Sequence, residues 1–191
     1  MTFPAVFVSH GAPTLALDSD EATYHFLRGI GATLGRPRAI VCISAHWEAR
    51  VPTVTSAATP ATIHDFYGFP APLYALRYNA PGDPELAQRV LSMLPTVHGE
   101  RAIDPVRGLD HGAWVPLSLM YPAADIPVLQ VSVQTALGAE HQLEVGRALA
   151  PLREEGILIL GSGGATHDLR RAQFVHGESV PPSDVAAFAW D

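Results

Sequence analysis

The chain has 191 residues, 48% hydrophobic and 16% charged, with a formal net charge of −7. This length suits one domain with one sizeable core, and the apolar content excludes a disordered chain. The acidic balance, with no stretch that gathers Lys and Arg, excludes a nucleic-acid-binding stripe, and no apolar run reaches the roughly 18 residues that span a bilayer.

The start, MTFPAVFVSH, lacks the basic region and cleavage site of a signal peptide, so a cytoplasmic protein acting on small molecules is expected. A homo-oligomer is compatible with these features. In chain order, AVFVS reads as a first strand and DSDEATYHFLRGIGATLG as a helix that opens on acidic N-cap candidates and ends at Gly35. AIVCIS and VPTVTS follow as strands, with Cys42 as a buried packing residue. DPELAQRVLSML is a helix with Asp83 as N-cap, Pro84 at its first position and Pro95 as its stop. PVLQVSV is a strand. GAEHQLEVGRALAPLREEG is a helix with Leu143, Gly146 or Arg147, and Leu149 or Ala150 at neighbouring spacings, ended by Gly156 before the strand GILILGSG.

Strands alternating with helices predict an α/β fold. AIVCIS and ILILGS are nearly continuous in apolar character, so they should be central strands covered on both faces. A three-layer domain follows, with a mostly parallel or mixed central sheet and helices on both sides. No repeat, charge block or linker divides the chain. Most of the 17 prolines fall between elements and shape long loops, which open α/β sheets use for ligands at the carboxyl ends of their strands.

AVFVSH, AIVCISAH and ILILGSGGATH share one order: apolar strand, Ser, then His at or just past the strand end. Parallel strands would carry His10, His46 and His167 to one edge of the sheet, where converging neutral imidazoles suit a transition metal. His111, in a Gly-flanked loop before an apolar helix, could reach the same edge. Each histidine taken alone is equally well read as a cap or loop anchor. His25 and His141 are read as helix-surface residues, and His98 and His176 as loop residues. The segment TIHDFYGFPAPLY concentrates Phe66, Tyr67, Phe69 and Tyr74, and Trp47 and Trp114 follow site histidines closely. Such rings could wall a pocket for an aromatic ligand, with Trp47, Tyr67 and Trp114 as substrate contacts, or simply fill the core. Asp110 and Ser44 are candidates to orient the histidines through their second ring nitrogens.

Taken in order, FVSHGAP, ISAHWE, IHDFYGFPAPLY, GLDHGAWVPLSLMYPAADIPVLQVSV and GSGGATHDL resemble the signature segments of the DODA-type extradiol aromatic ring-opening dioxygenases, the 4,5-DOPA dioxygenase branch of the class III LigB-like superfamily. The resemblance runs through almost the whole chain. It implies an α/β fold around a mononuclear non-haem metal, Fe(II) in ring-cleaving members and Zn(II) in some relatives. His10 and His46 match two metal ligands. His111 and His167 match a pair beside the metal, of which His167 acts as acid/base and in some descriptions is counted with the ligands. The implied reaction inserts O2 into a catechol-type diol to give a semialdehyde acid, with His167 accepting a catechol proton and His111 stabilising developing negative charge. The family pattern continues past VPPSDVAAFAWD into a segment with a further metal-binding histidine, so residues 1–191 are expected to be a single catalytic-type domain lacking that segment.

Two other readings fit the same residues. A zinc hydrolase would use the histidines to activate water, with Asp65, Glu48 or His167 as base, although HExxH and paired carboxylates are absent. A non-catalytic metal or small-molecule binding module of the same fold is the third.

Overall fold

The apolar runs do form strands. The computed structural model describes residues 2–164 and the strand backbone of 173–175 and 178–180. Strands β1 (Ala5–Ser9), β2 (Ala39–Glu48), β3 (Thr53–Thr55), β4 (Ala102–Asp104), β5 (Val128–Val133) and β6 (Ile157–Gly163) make one sheet in the order β1-β6-β2-β5-β3-β4. β1, β6, β2 and β5 run parallel, β3 is antiparallel to β5, and β4 is parallel to β3. The sheet is therefore mixed, with a parallel centre. β7 (Gln173–Val175) and β8 (Glu178–Val180) form a separate antiparallel pair.

Because strand side chains alternate, each central strand feeds two cores. Val8, Ile40, Cys42, Leu158 and Leu160 face a core shared with Leu27 of α1 (Ala22–Leu34), Leu73 of α2 (Ala71–Ala75) and Trp114 and Leu117 of α4 (His111–Met120). Val41, Leu129, Val131, Ile157 and Ile159 face the other core, with Ala87 and Val90 of α3 (Pro84–Met93) and Val145 and Leu149 of α5 (Gly138–Leu149). Helices thus cover both faces. Burial, with the Asp110 carboxylate as a lesser cause, pushes the Cys42 thiol well up, as suits an inert packing residue.

Several local expectations need correction. The first helix begins at Ala22, because Asp18 engages the backbone N–H of Asp20 in a turn and Glu21 makes no side-chain cap. α5 turns Val145 and Leu149 inward, one helical turn apart, and leaves Leu143 55% exposed. It gives way to a 3-10 turn over Ala150–Glu155, where Pro151 has no N–H to continue the ladder, and Gly156 closes it with φ 79°. α2 and β4, in segments too short and Pro/Gly-rich to show periodicity, were not expected. α3 matches its prediction: Asp83 accepts from the Leu86 N–H at 2.9 Å. Asp83→Ala is expected to lower stability by about 1 kcal/mol, read as a lower urea midpoint with an unchanged slope.

Candidate metal centre

The carboxyl ends of the parallel strands carry the histidines. His10 follows β1 directly, and His46 lies inside β2, which runs two residues beyond it. His111 is not in a loop: it is the first residue of α4, whose N-cap is Asp110. The ring centroids lie 4.8 Å apart for His10 and His46, 5.2 Å for His10 and His111, and 3.9 Å for His46 and His111. One nitrogen from each falls within 4.8 Å of the others. His10 and His111 are buried and His46 is half-buried. His167 lies outside the described residues, beyond the end of β6.

The donor chemistry can be worked out from the partners. The Ser162 hydroxyl, on β6, donates to the carbonyl of Gly112, a group that can only accept. Ser162 Oγ lies 2.9 Å from His10 Nδ1, and having given up its one proton it must accept there. Neutral His10 therefore carries its proton on Nδ1 and its lone pair on Nε2, the atom 2.9 Å from His46 Nε2. His111 is set by a carboxylate: Asp65 Oδ1 accepts from its ring Nδ1 and from its backbone N–H, each at 2.9 Å. Partial burial pushes the Asp65 carboxyl up, but the hydrogen bonds from His111 outweigh it and hold the group below its ordinary value. Asp65 is thus ionised at neutral pH, and His111 also presents Nε2 as its unprotonated nitrogen when neutral. Neutral imidazoles with fixed tautomers fit a transition metal.

Replacing Ser162 by Ala frees the His10 tautomer. It is expected to weaken Zn(II) binding about 10- to 100-fold, measured by chelator competition.

The supports sit on three elements. Asp110, fully buried, caps α4 through Ala113 N–H and accepts from Arg107 and, at 2.9 Å, from Gln130 Nε2. Gln130 Oε1 in turn accepts from the Asp110 N–H at 3.1 Å, which ties the start of α4 to β5. The Arg107 guanidinium also lies 4.7 Å over the Trp47 ring, beside His46. A Cβ on Gly112 would fall 2.3 Å from Ser44 Oγ and 3.0 Å from His46 Cδ2, so only glycine lets α4 approach this closely. Asp110 acts as a helix cap and Ser44 accepts from the backbone N–H of His46, whereas Ser162 and Asp65 take the orienting roles expected of that pair. Ser162 is the serine of the third strand–Ser–His run, but nothing in that run marked it as the partner of His10. Asp65 stood out only as a candidate base for hydrolysis.

The aromatic segment reaches the centre through Phe66, whose ring meets His111 edge-on at 5.7 Å and packs against Phe69 and Tyr74. His64 packs on Phe66 and Trp114, with Nε2 3.2 Å from the Leu76 carbonyl. Of the predicted substrate contacts, Trp114 is 1% exposed with its indole N–H on the Ile63 carbonyl, Trp47 is 7% exposed, and Tyr67 is 92% exposed. The two tryptophans are therefore buried rather than open to solvent.

The family model described as the catalytic LigB subunit of aromatic ring-opening dioxygenase matches residues 4–189. The chain belongs to the LigB family. Among LigB relatives, it is 51% identical over 165 residues to the 4,5-DOPA dioxygenase extradiol of Beta vulgaris, covering 84% of this chain and 61% of that one. It is 45% identical over 181 residues to the protein of that name from Escherichia coli (strain K12), covering 93% and 65%. The crystal structure of uncharacterized protein JW3007 from Escherichia coli K12 superposes with a TM-score of 0.78 at 37% identity, covering 98% of this chain and 70% of that one. The chain thus spans about three fifths of the length of the curated relatives it matches. No helix among the described residues is long and apolar enough to cross a membrane.

Proposed function

We propose that this LigB-family chain is an extradiol dioxygenase acting on a catechol-type aromatic diol and O2. The supporting observation is the meeting of His10 and His46 through Nε2, with His111 and its Asp65 carboxylate alongside. His10 and His46 would hold the metal, Fe(II) for ring cleavage and Zn(II) as an occupant without it, and His167 would add a ligand or a base. Fe(II), when bound, supplies Lewis acidity towards the diol oxygens and an electron donor towards O2.

The chain's own residues do the rest. His111 Nε2 takes a proton from a substrate hydroxyl or, once protonated, gives one back, and Asp65 at Nδ1 stabilises the imidazolium in between. Phe66 offers an apolar wall against which an aromatic ring packs and from which water is excluded. Of the bases a hydrolytic alternative would use, Asp65, Glu48 or His167, Asp65 has its Oδ1 held by His111 from two sides.

The tilted contact of the His46 and His111 rings, with centroids 3.9 Å apart, favours His111 as neighbour rather than ligand. His111→Ala is therefore expected to keep one equivalent of metal and lose turnover. The test is oxygen uptake by anaerobically Fe(II)-loaded protein given catechol or a 3,4-dihydroxyphenyl amino acid, with the semialdehyde followed by its yellow absorbance. No uptake by metal-loaded protein overturns the proposal.

A further inference from the structure

α4 carries a proline inside its helical span, Pro116, and a carbonyl four residues before it, that of Gly112, which Pro116 has no N–H to satisfy. In an ordinary helix the residue at 116 would donate to that oxygen. Here the donor is instead the Ser162 hydroxyl, reaching from β6. Ser162 is the group that accepts from His10 Nδ1. We infer that Pro116 is a positioning residue for the metal centre: by withholding its backbone donor it leaves the Gly112 carbonyl to Ser162, and so holds His10 in the Nδ1–H tautomer with Nε2 towards His46.

Three features converge on this. Pro116 is buried, so its place is not a solvent kink. Gly112 brings the first turn of α4 against Ser44 and His46 without a side chain in between, which puts its carbonyl within reach of Ser162. A serine hydroxyl has one proton, so the choice of acceptor for Ser162 decides the role left at His10. If a helical N–H took the Gly112 carbonyl, Ser162 could turn its proton to Nδ1 and hold His10 in the opposite tautomer, whose Nε2 is protonated and cannot bind a metal.

The inference rests on the proposed metal role of His10. Pro116→Val keeps much of the side-chain volume and restores an N–H, and Pro116→Ala does so with the better helix former. Tautomer populations of His10 in metal-free protein are read from 15N ring shifts, Zn(II) affinity by chelator competition, and stability by thermal unfolding. The expected result is a single Nδ1–H tautomer in the parent chain and a mixture in the variants. Zn(II) binding should weaken about 10- to 100-fold while Tm is held or raised, a combination that damage to the fold would not produce. In a Ser162→Ala background the same change at Pro116 should have no further effect on Zn(II) affinity. An unchanged His10 tautomer, or an equal loss of affinity with and without Ser162, overturns the inference. If the parent chain binds no Zn(II), it is the metal reading that fails, and the tautomer signal still decides the part played by Pro116.

Discussion

An oxygen electrode is expected to record no catechol-dependent uptake from His10→Ala after Fe(II) loading. The physical reason is the position of this imidazole. It is 2% exposed at the end of β1, its Nδ1 is held by Ser162, and its Nε2 meets His46 at 2.9 Å. β1 ends there, and the next residue, Gly11, has φ 63° and no side chain to offer in its place. Loss of a supporting hydrogen bond weakens metal sites by about 10- to 100-fold, and loss of the ligand itself should exceed that. Zn(II) titration should show the loss directly, and far-UV circular dichroism should show a folded protein. One equivalent of tightly bound metal in the variant would mean that His10 is not a ligand.

Asp65→Asn is expected to act on the other half of the centre. The change keeps the shape but removes the charge that stabilises an imidazolium at His111. Proton transfer by a positioned side chain contributes about 10²- to 10⁴-fold, so a fall in kcat of about 100-fold is expected, with KM and metal content little changed. The sign of the acid dependence is also determined. The folded carboxyl lies below its ordinary value of 3.8, so its stabilising contribution is complete above that value and is lost as pH falls below it. Asp65→Asn should therefore flatten the loss of stability of the parent chain in that acid range. Equal acid-unfolding curves and an unchanged kcat would remove Asp65 from the mechanism.

Much of this site was legible in one dimension. Apolar runs followed by histidine at AVFVSH and AIVCISAH announced histidines brought together near strand ends, since parallel strands necessarily present their carboxyl ends on one edge. The capping pattern at Asp83 and the stop at Gly156 were local signals and are found where expected. Leu143 misled because it is an apolar residue lying off the face on which Val145 and Leu149, four residues apart, are buried. His111 looked like a loop residue because its neighbours are glycine and aspartate. The cap made by Asp110 turns the same residues into the first turn of a helix.

What the sequence by itself determined is the layered α/β fold and the delivery of His10 and His46 to one sheet edge, for which periodicity, chain direction and residue type suffice, while the motif segments taken in order carried the resemblance to the LigB family. Only the tertiary structure decided which groups orient those histidines. Ser162 and His10 are 152 positions apart, Asp65 and His111 are 46 apart, and Ser162 and Gly112 are 50 apart. Hydrogen bonds over such separations leave no local pattern, because a serine on β6 or an aspartate in a loop reads the same whether it meets an imidazole or water. The partner is selected when the strands pair and α4 closes against them, and with the partner come the tautomer and the direction of the lone pair.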